Sequence, residues 1–170
     1  MKQALNTKDI QVGIVGLGLM ECSITTCLLM ANHPVVAVAP LAADLEHAST
    51  RIREHLQGAY HEGLIHNEPQ HYLSNLIITD DYKKLAGCRL VLECVIESLD
   101  IKTNVYKKIE DSVSVDALIT SNTSAIPISV LQKQTRHPER FFGLHWLEPS
   151  HTTRFLEIIC GDLSDSEKGK

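Results

Sequence analysis

Seven short apolar runs, most of them rich in β-branched residues, punctuate the chain: IQVGIV (10–15), VVAVA (35–39), LIIT (76–79), LVLECV (90–95), ALITS (117–121), FFGLHW (141–146) and FLEIIC (155–160). Amphipathic stretches separate several of them. Parallel neighbours in a sheet need a crossover, usually a helix, so this alternation predicts βαβ units around a buried sheet of six or seven strands. After the first run, Met20, Ile24, Cys27, Leu28 and Ala31 recur at helical spacing, and Asn32, His33 and Pro34 end that helix. Leu45, Ile52 and Leu56 share a face after the second run. Ile101, Val105 and Ile109 do so after the fourth, with Ser98 as the expected N-cap. The polar segment 57–75 reads as a turn-rich excursion off the sheet. The expected fold is α/β, a Rossmann-like doubly wound, mostly parallel sheet with helices on both faces. It spans 1–163 and is followed by a polar tail, 164–170.

The length, 170 residues with 44% hydrophobic and no visible linker, suits one domain with a substantial core. A net charge of −5 and no basic cluster denser than Tyr82-Lys83-Lys84 argue against a nucleic-acid partner. The first ten residues lack the apolar core of a signal peptide, and no apolar run is long enough to span a bilayer. The five cysteines are odd in number and form no CxxC pair, so neither a disulfide framework nor a zinc site is expected, and a cytoplasmic location is. His55, His61, His66 and His71 share no helical face, so no metal site is expected from them.

GLGLME, 16–21, joins the first strand to the first helix. It is one residue from the fingerprint in which three glycines bring a pyrophosphate onto a helix N-terminus. Gly16 and Gly18 take the first two places, with Leu17, Leu19 and Met20 around them, and Glu21 takes the third. An acidic residue about 20 positions on ordinarily binds the ribose hydroxyls. Here the second strand ends in Ala39-Pro40, whose side chains accept nothing. Glu21 also has a plain structural reading, as a carboxylate neutralising its own helix N-terminus.

The second half carries LVLECVIESLDIKTNVYKKI (90–109), LITSNTSAIPIS (118–129), FFGLHWLEP (141–149) and RFLEIICG (154–161). In that order and spacing these segments resemble the N-terminal NAD-binding domain of the 3-hydroxyacyl-CoA dehydrogenases, over about residues 10–163. The resemblance implies NAD as cofactor, an acyl-CoA as substrate, a place in fatty acid metabolism, and oxidation of the 3-hydroxyl by hydride transfer. It implies that His145 is the catalytic base and that Glu157 orients its imidazole. It implies that Ser124 touches substrate hydroxyl and nicotinamide, and that Glu97 and Lys102 line the nicotinamide-ribose side of the cleft. A carboxylate beside an imidazole fixes its tautomer and raises its basicity. Each residue has a simpler reading as well. Ser124 could cap the next helix, Glu157 could be a surface carboxylate, and Glu97 with Lys102 an ordinary surface pair.

Three departures from the family fall on the cofactor: Glu21 for glycine, Ala39 for the ribose aspartate, and Glu148 where an asparagine usually contacts the nicotinamide. The family's C-terminal helical domain, which closes the cleft and makes the homodimer, has no counterpart here, so the chain reads as a domain cut from a longer protein. The dehydrogenase reading therefore competes with a non-catalytic acyl-CoA- or partner-binding module, and with a different NAD-linked 3-hydroxy-acid oxidoreductase.

Overall fold

The computed structural model describes residues 6–40, 42–153, 155–165 and 167. β1 (Val12–Val15), β2 (Val35–Val38), β3 (Leu76–Thr79), β4 (Leu90–Glu93), β5 (Leu118–Ser121), β6 (Phe141–Trp146) and β7 (Leu156–Cys160) form one sheet. Its order is β3-β2-β1-β4-β5-β6-β7. The first six strands are parallel and β7 runs antiparallel to β6. The order reverses between β1 and β4, and the carboxyl ends of those strands make the crevice in which such sheets bind ligands.

Both faces of the inner strands are buried, which is why their sequences are continuous apolar runs rather than alternating ones. Val35 and Ala37 pack with Ile24 and Leu29 of α1 (Leu19–Met30) and with Ile52 and Leu56 of α2 (Ala42–His61). Val36 and Val38 face the other way, into the cluster holding Val105, Tyr106 and Ile109 of α4 (Leu99–Glu110) and Leu131 of α5 (Ile128–Leu131). None of the described helices is long and apolar enough to cross a membrane.

The segment 57–75 is more regular than its composition suggests. α2 continues through Gly58 to His61, because Ala59 adds a further buried position one turn beyond Leu56. α3 (Pro69–Leu73) follows, opened by Pro69 and seated by buried Tyr72. Ser98 stands at the N-cap of α4, though its side chain makes no capping bond.

A short helix, α6 (Ser150–Thr153), lies in the connection between β6 and β7 and docks on α1. Ser150 is buried, His151 Nδ1 meets Ser23 Oγ at 2.8 Å, and the His151 ring stacks on His55 of α2 with centroids 4.4 Å apart. Desolvation, then the neighbouring His55, push the His151 pKa below its usual value, and Glu62 pulls weakly the other way. A base whose pKa is depressed on folding stabilises the fold in its neutral form. That contribution is complete above about pH 6.5 and is lost as pH falls through the lower folded value. Thermal unfolding followed between pH 7.5 and 5 should therefore show a steeper loss of Tm for the parent than for His151→Asn. Parallel curves would rule the stacked pair out as a titrating contact.

Candidate active site

The chain leaves β1 through Gly16, whose φ of 114° lies in the left-handed region. A Cβ there would stand 3.0 Å from the carbonyl oxygen of Cys94, so glycine is required both by conformation and by the close passage of β4. Gly18 is the N-cap of α1 and offers no side-chain cap. Glu21, in the first turn, bends back over it: Oε2 lies 2.8 Å from where a Gly18 Cβ would be. A carboxylate at this third helical position is the one that reaches back in a capping box. Leu17 is fully buried and Leu19 is exposed, while Met20 packs against the core.

From this turn a cleft of about 360 Å³ extends between the ends of β1, β2 and β4, with Glu21 on its wall and Pro40, Ile101 and Val105 as an apolar side. Ile101 is thus absent from the core because it faces the cleft. Burial, then the charges of Glu21 and Glu93, push the Cys94 thiol well up, so it is not a thiolate there.

Farther along the same edge, β6 and β7 bring His145 opposite Glu157 in the antiparallel register. His145 Nδ1 lies 3.0 Å from Glu157 Oε2, and His145 Nε2 lies 3.0 Å from Ser124 Oγ. An ionised carboxylate only accepts hydrogen bonds, so Nδ1 carries the proton and Nε2 presents its lone pair to the serine hydroxyl. His145 is partly exposed and Glu157 about half exposed, open to an incoming molecule.

Ser124 does not cap the following helix. Its neighbour Thr123 accepts from the N–H of Ile126 instead, which turns the Ser124 side chain toward His145. The backbone N–H of Ser124 donates to Glu97 Oε1 at 2.9 Å, and Thr123 Oγ1 to Glu97 Oε2 at 3.0 Å. Partial burial tends to raise the Glu97 pKa. The Ser124 N–H, the Thr123 hydroxyl and Lys102 outweigh it and hold the carboxyl below its usual range. Lys102 is no surface residue: it is 1% exposed, and its ammonium meets Glu93, the carbonyl of Val95 and, at 3.6 Å, Glu97.

The structure thus brings His145, Glu157, Ser124, Glu97 and Lys102 into one connected series, with the glycine loop farther along the same edge of the sheet and Glu148 exposed on the loop after β6. Two participants escaped the sequence reading. Asn122 Oδ1 accepts from the N–H of Trp146 at 2.8 Å and so ties the serine turn to β6. An Asn between two hydroxyl residues at a strand end is the turn signal that marks it. Glu93 is the other, a carboxylate inside the apolar run 90–95, and a fully buried acid must find partners.

A sheet in the order β3-β2-β1-β4-β5-β6 with a glycine turn at the switch point defines a dinucleotide-binding domain. The chain belongs to the family described as 3-hydroxyacyl-CoA dehydrogenase, NAD binding domain, whose model matches residues 11–168. The 5-formyl-3-hydroxy-2-methylpyridine 4-carboxylate 5-dehydrogenase of Mesorhizobium japonicum is 33% identical, over 89% of this chain and 48% of its own length. A probable 3-hydroxybutyryl-CoA dehydrogenase of Deinococcus radiodurans is 27% identical, over 93% of this chain and 57% of that protein. Among solved structures, an (S)-3-hydroxybutyryl-CoA dehydrogenase from Ralstonia eutropha superposes with a TM-score of 0.88 at 26% identity, covering 94% of this chain and 56% of that one. The chain spans about half the length of these relatives.

NAD is the cofactor of this family domain. The residues fit it in the turn at Gly16, where only glycine is admitted, and in the apolar wall of Pro40, Ile101 and Val105. Two polar points depart from the fingerprint: Glu21 leans over Gly18 at the N-cap of α1, and Ala39 is buried at 2% with a side chain that accepts nothing.

Proposed function

We propose that this chain is the cofactor-binding and acid–base half of an NAD-dependent 3-hydroxyacyl-CoA dehydrogenase. One observation carries the reading: Ser124 Oγ, His145 and Glu157 stand in series at 3.0 Å and 3.0 Å, on the same carboxyl edge of the parallel strands as the glycine turn. His145 Nε2 takes the proton of the substrate's 3-hydroxyl, and Glu157 stabilises the imidazolium that results. Ser124 holds the same hydroxyl in line with Nε2. Gly16 to Met20 hold the phosphates, and Glu97 the nicotinamide-ribose side. NAD, when bound, supplies the hydride acceptor.

The substrate is a 3-hydroxyacyl-CoA, as the names of the 3-hydroxybutyryl-CoA relatives suggest. The Mesorhizobium relative, named for a pyridine carboxylate, favours a second reading in which the same series serves a small acid without CoA. The family's helical domain would supply cleft closure and a homodimer. A cytoplasmic setting is proposed from the sequence, whose five cysteines are odd in number and form no CxxC pair.

The test is NADH formation, followed by absorbance, from 3-hydroxybutyryl-CoA and from free 3-hydroxy acids, alone and with an added helical domain from a relative. Turnover of the thioester supports the first reading, and turnover of the free acids alone supports the second. Acyl-CoA binding that is indifferent to NAD and yields no NADH moves the chain to the non-catalytic class.

A further inference from the structure

We infer that Glu157 is set opposite His145 by a register lock at the far end of β7, in which Ile159 and Ser164 are positioning residues that act on the site through Glu157. It rests on the reading above only in taking His145 and Glu157 as the reacting pair.

β7 lies at the edge of the sheet, and all five of its residues are exposed. No buried face therefore fixes its register, yet the register decides the site. A slip of one residue turns the Glu157 side chain to the other face of the sheet. A slip of two puts Ile159 or Phe155 opposite His145 in its place.

Two sets of contacts hold the strand against either slip. The first is a notch in β6. Gly143 stands opposite Ile159, on the same face as the His145–Glu157 pair two residues along. Opposite Cβ atoms in antiparallel strands ordinarily lie about 4.5–5.5 Å apart. A Cβ on Gly143 would be 2.9 Å from the Cβ of Ile159 and 2.8 Å from Ile128 Cδ1. Ile159 thus leans into space that glycine alone leaves open, with Ile128 of α5 closing it. A slip of two in one direction would put the Glu157 carboxylate into that apolar notch.

The second set lies in the turn after β7. Ser164 Oγ donates to the carbonyl of Phe141, the first residue of β6, at 2.7 Å and accepts from the Gly161 N–H at 2.9 Å. The Asp162 N–H donates to Ser129 Oγ at 3.1 Å, and the Asp165 N–H to the Glu139 carbonyl at 2.8 Å. Gly161 passes so close to fully buried Gln132 that a Cβ on it would overlap the amide oxygen. The chain therefore leaves β7 tied, at one particular residue, to the point where β6 begins. Notch and turn select the same register.

The ¹⁵N signals of the His145 ring, read by NMR on the cofactor-free chain with the imidazole neutral, report the Nδ1–H that Glu157 accepts. Gly143→Ala fills the notch, and the ring proton should pass in part from Nδ1 to Nε2. Adding Ile159→Gly to that variant reopens the notch and should restore the parent's signals. A strand weakened in a general way would not recover, because a glycine in its interior weakens it further. Ser164→Ala removes two hydrogen bonds and adds no bulk. Amides of β7 should then exchange about fivefold to a hundredfold faster, the worth of those bonds, and the ring should shift in the same direction. Amides of β1 and α1 should keep their protection in every variant. Unchanged ring signals in a folded Gly143→Ala overturn the inference, and so does a double variant that stays like the single one. Ring signals like the parent's in Ser164→Ala overturn it equally, whether or not Gly143→Ala folds. NADH formation enters none of these readings, so a failed dehydrogenase assay leaves the lock standing, and a failed lock leaves the assay's result intact.

Discussion

Glu21→Gly should bind NADH more tightly than the parent, by about fivefold to about a thousandfold. The range follows from one geometric fact, that Glu21 Oε2 lies 2.8 Å from where a Cβ on Gly18 would be. The carboxylate therefore stands over the N-cap of α1, where the backbone N–H groups of a helix's first turn and the helix dipole would otherwise receive a phosphate. Two like charges about 4 Å apart cost roughly 1 kcal/mol in water and about 4 kcal/mol at intermediate dielectric, and each 1.4 kcal/mol is tenfold in affinity. Stability should move the other way. An acidic residue in the first helical turn contributes about 0.3–1 kcal/mol and glycine is a poor helix former, so the variant should melt at a lower temperature. Tighter binding in a less stable protein cannot come from general tightening of the fold, which makes the pair of measurements decisive. Equal NADH affinity in both proteins, by fluorescence or calorimetry, would show that Glu21 swings aside at no cost. Ala39→Asp offers a second gain, of about 1.5–3 kcal/mol for a hydrogen bond to a charged acceptor.

The sheet was readable because its inner strands are apolar on both faces, so each appears as a run whatever its register. The glycine turn was readable because only glycine tolerates the conformation at residue 16. What composition hid was α2 beyond residue 57, where Gly58 and His61 dilute a face that buried Ala59 still continues. The strand β7 set a harder problem. All five of its residues are exposed, so no inward–outward alternation fixes its register. Only the antiparallel pairing with β6, and the resemblance to a known family, put Glu157 rather than a neighbour opposite His145. Burial of Lys102 was equally illegible from sequence, because it depends on α4 lying over a central strand that ends in a carboxylate. A lysine five residues after a glutamate at a helix start looks the same whether it points out or in.

His145→Gln should lower kcat for oxidation of a 3-hydroxyacyl-CoA by about 10² to 10⁴-fold, the usual contribution of a positioned general base, and leave NADH affinity unchanged. The separation is expected because His145 bonds to Ser124 and Glu157 and makes none of the contacts of the glycine turn. Glutamine at 145 can still hydrogen-bond the substrate hydroxyl but cannot accept its proton at neutral pH. Glu157→Gln should cost less. A side-chain amide keeps an acceptor within reach of Nδ1, so the tautomer presenting Nε2 survives, but the neutral partner no longer stabilises the imidazolium. The double variant should then be little worse than His145→Gln alone, since Glu157 acts through the imidazole, and catalytic groups that work as a unit are not additive. Losses that multiply instead would mean that Glu157 touches the substrate by itself. Turnover undiminished in His145→Gln would remove the histidine from the chemistry and leave the 3.0 Å series from Ser124 to Glu157 as a structural tie between β6 and β7.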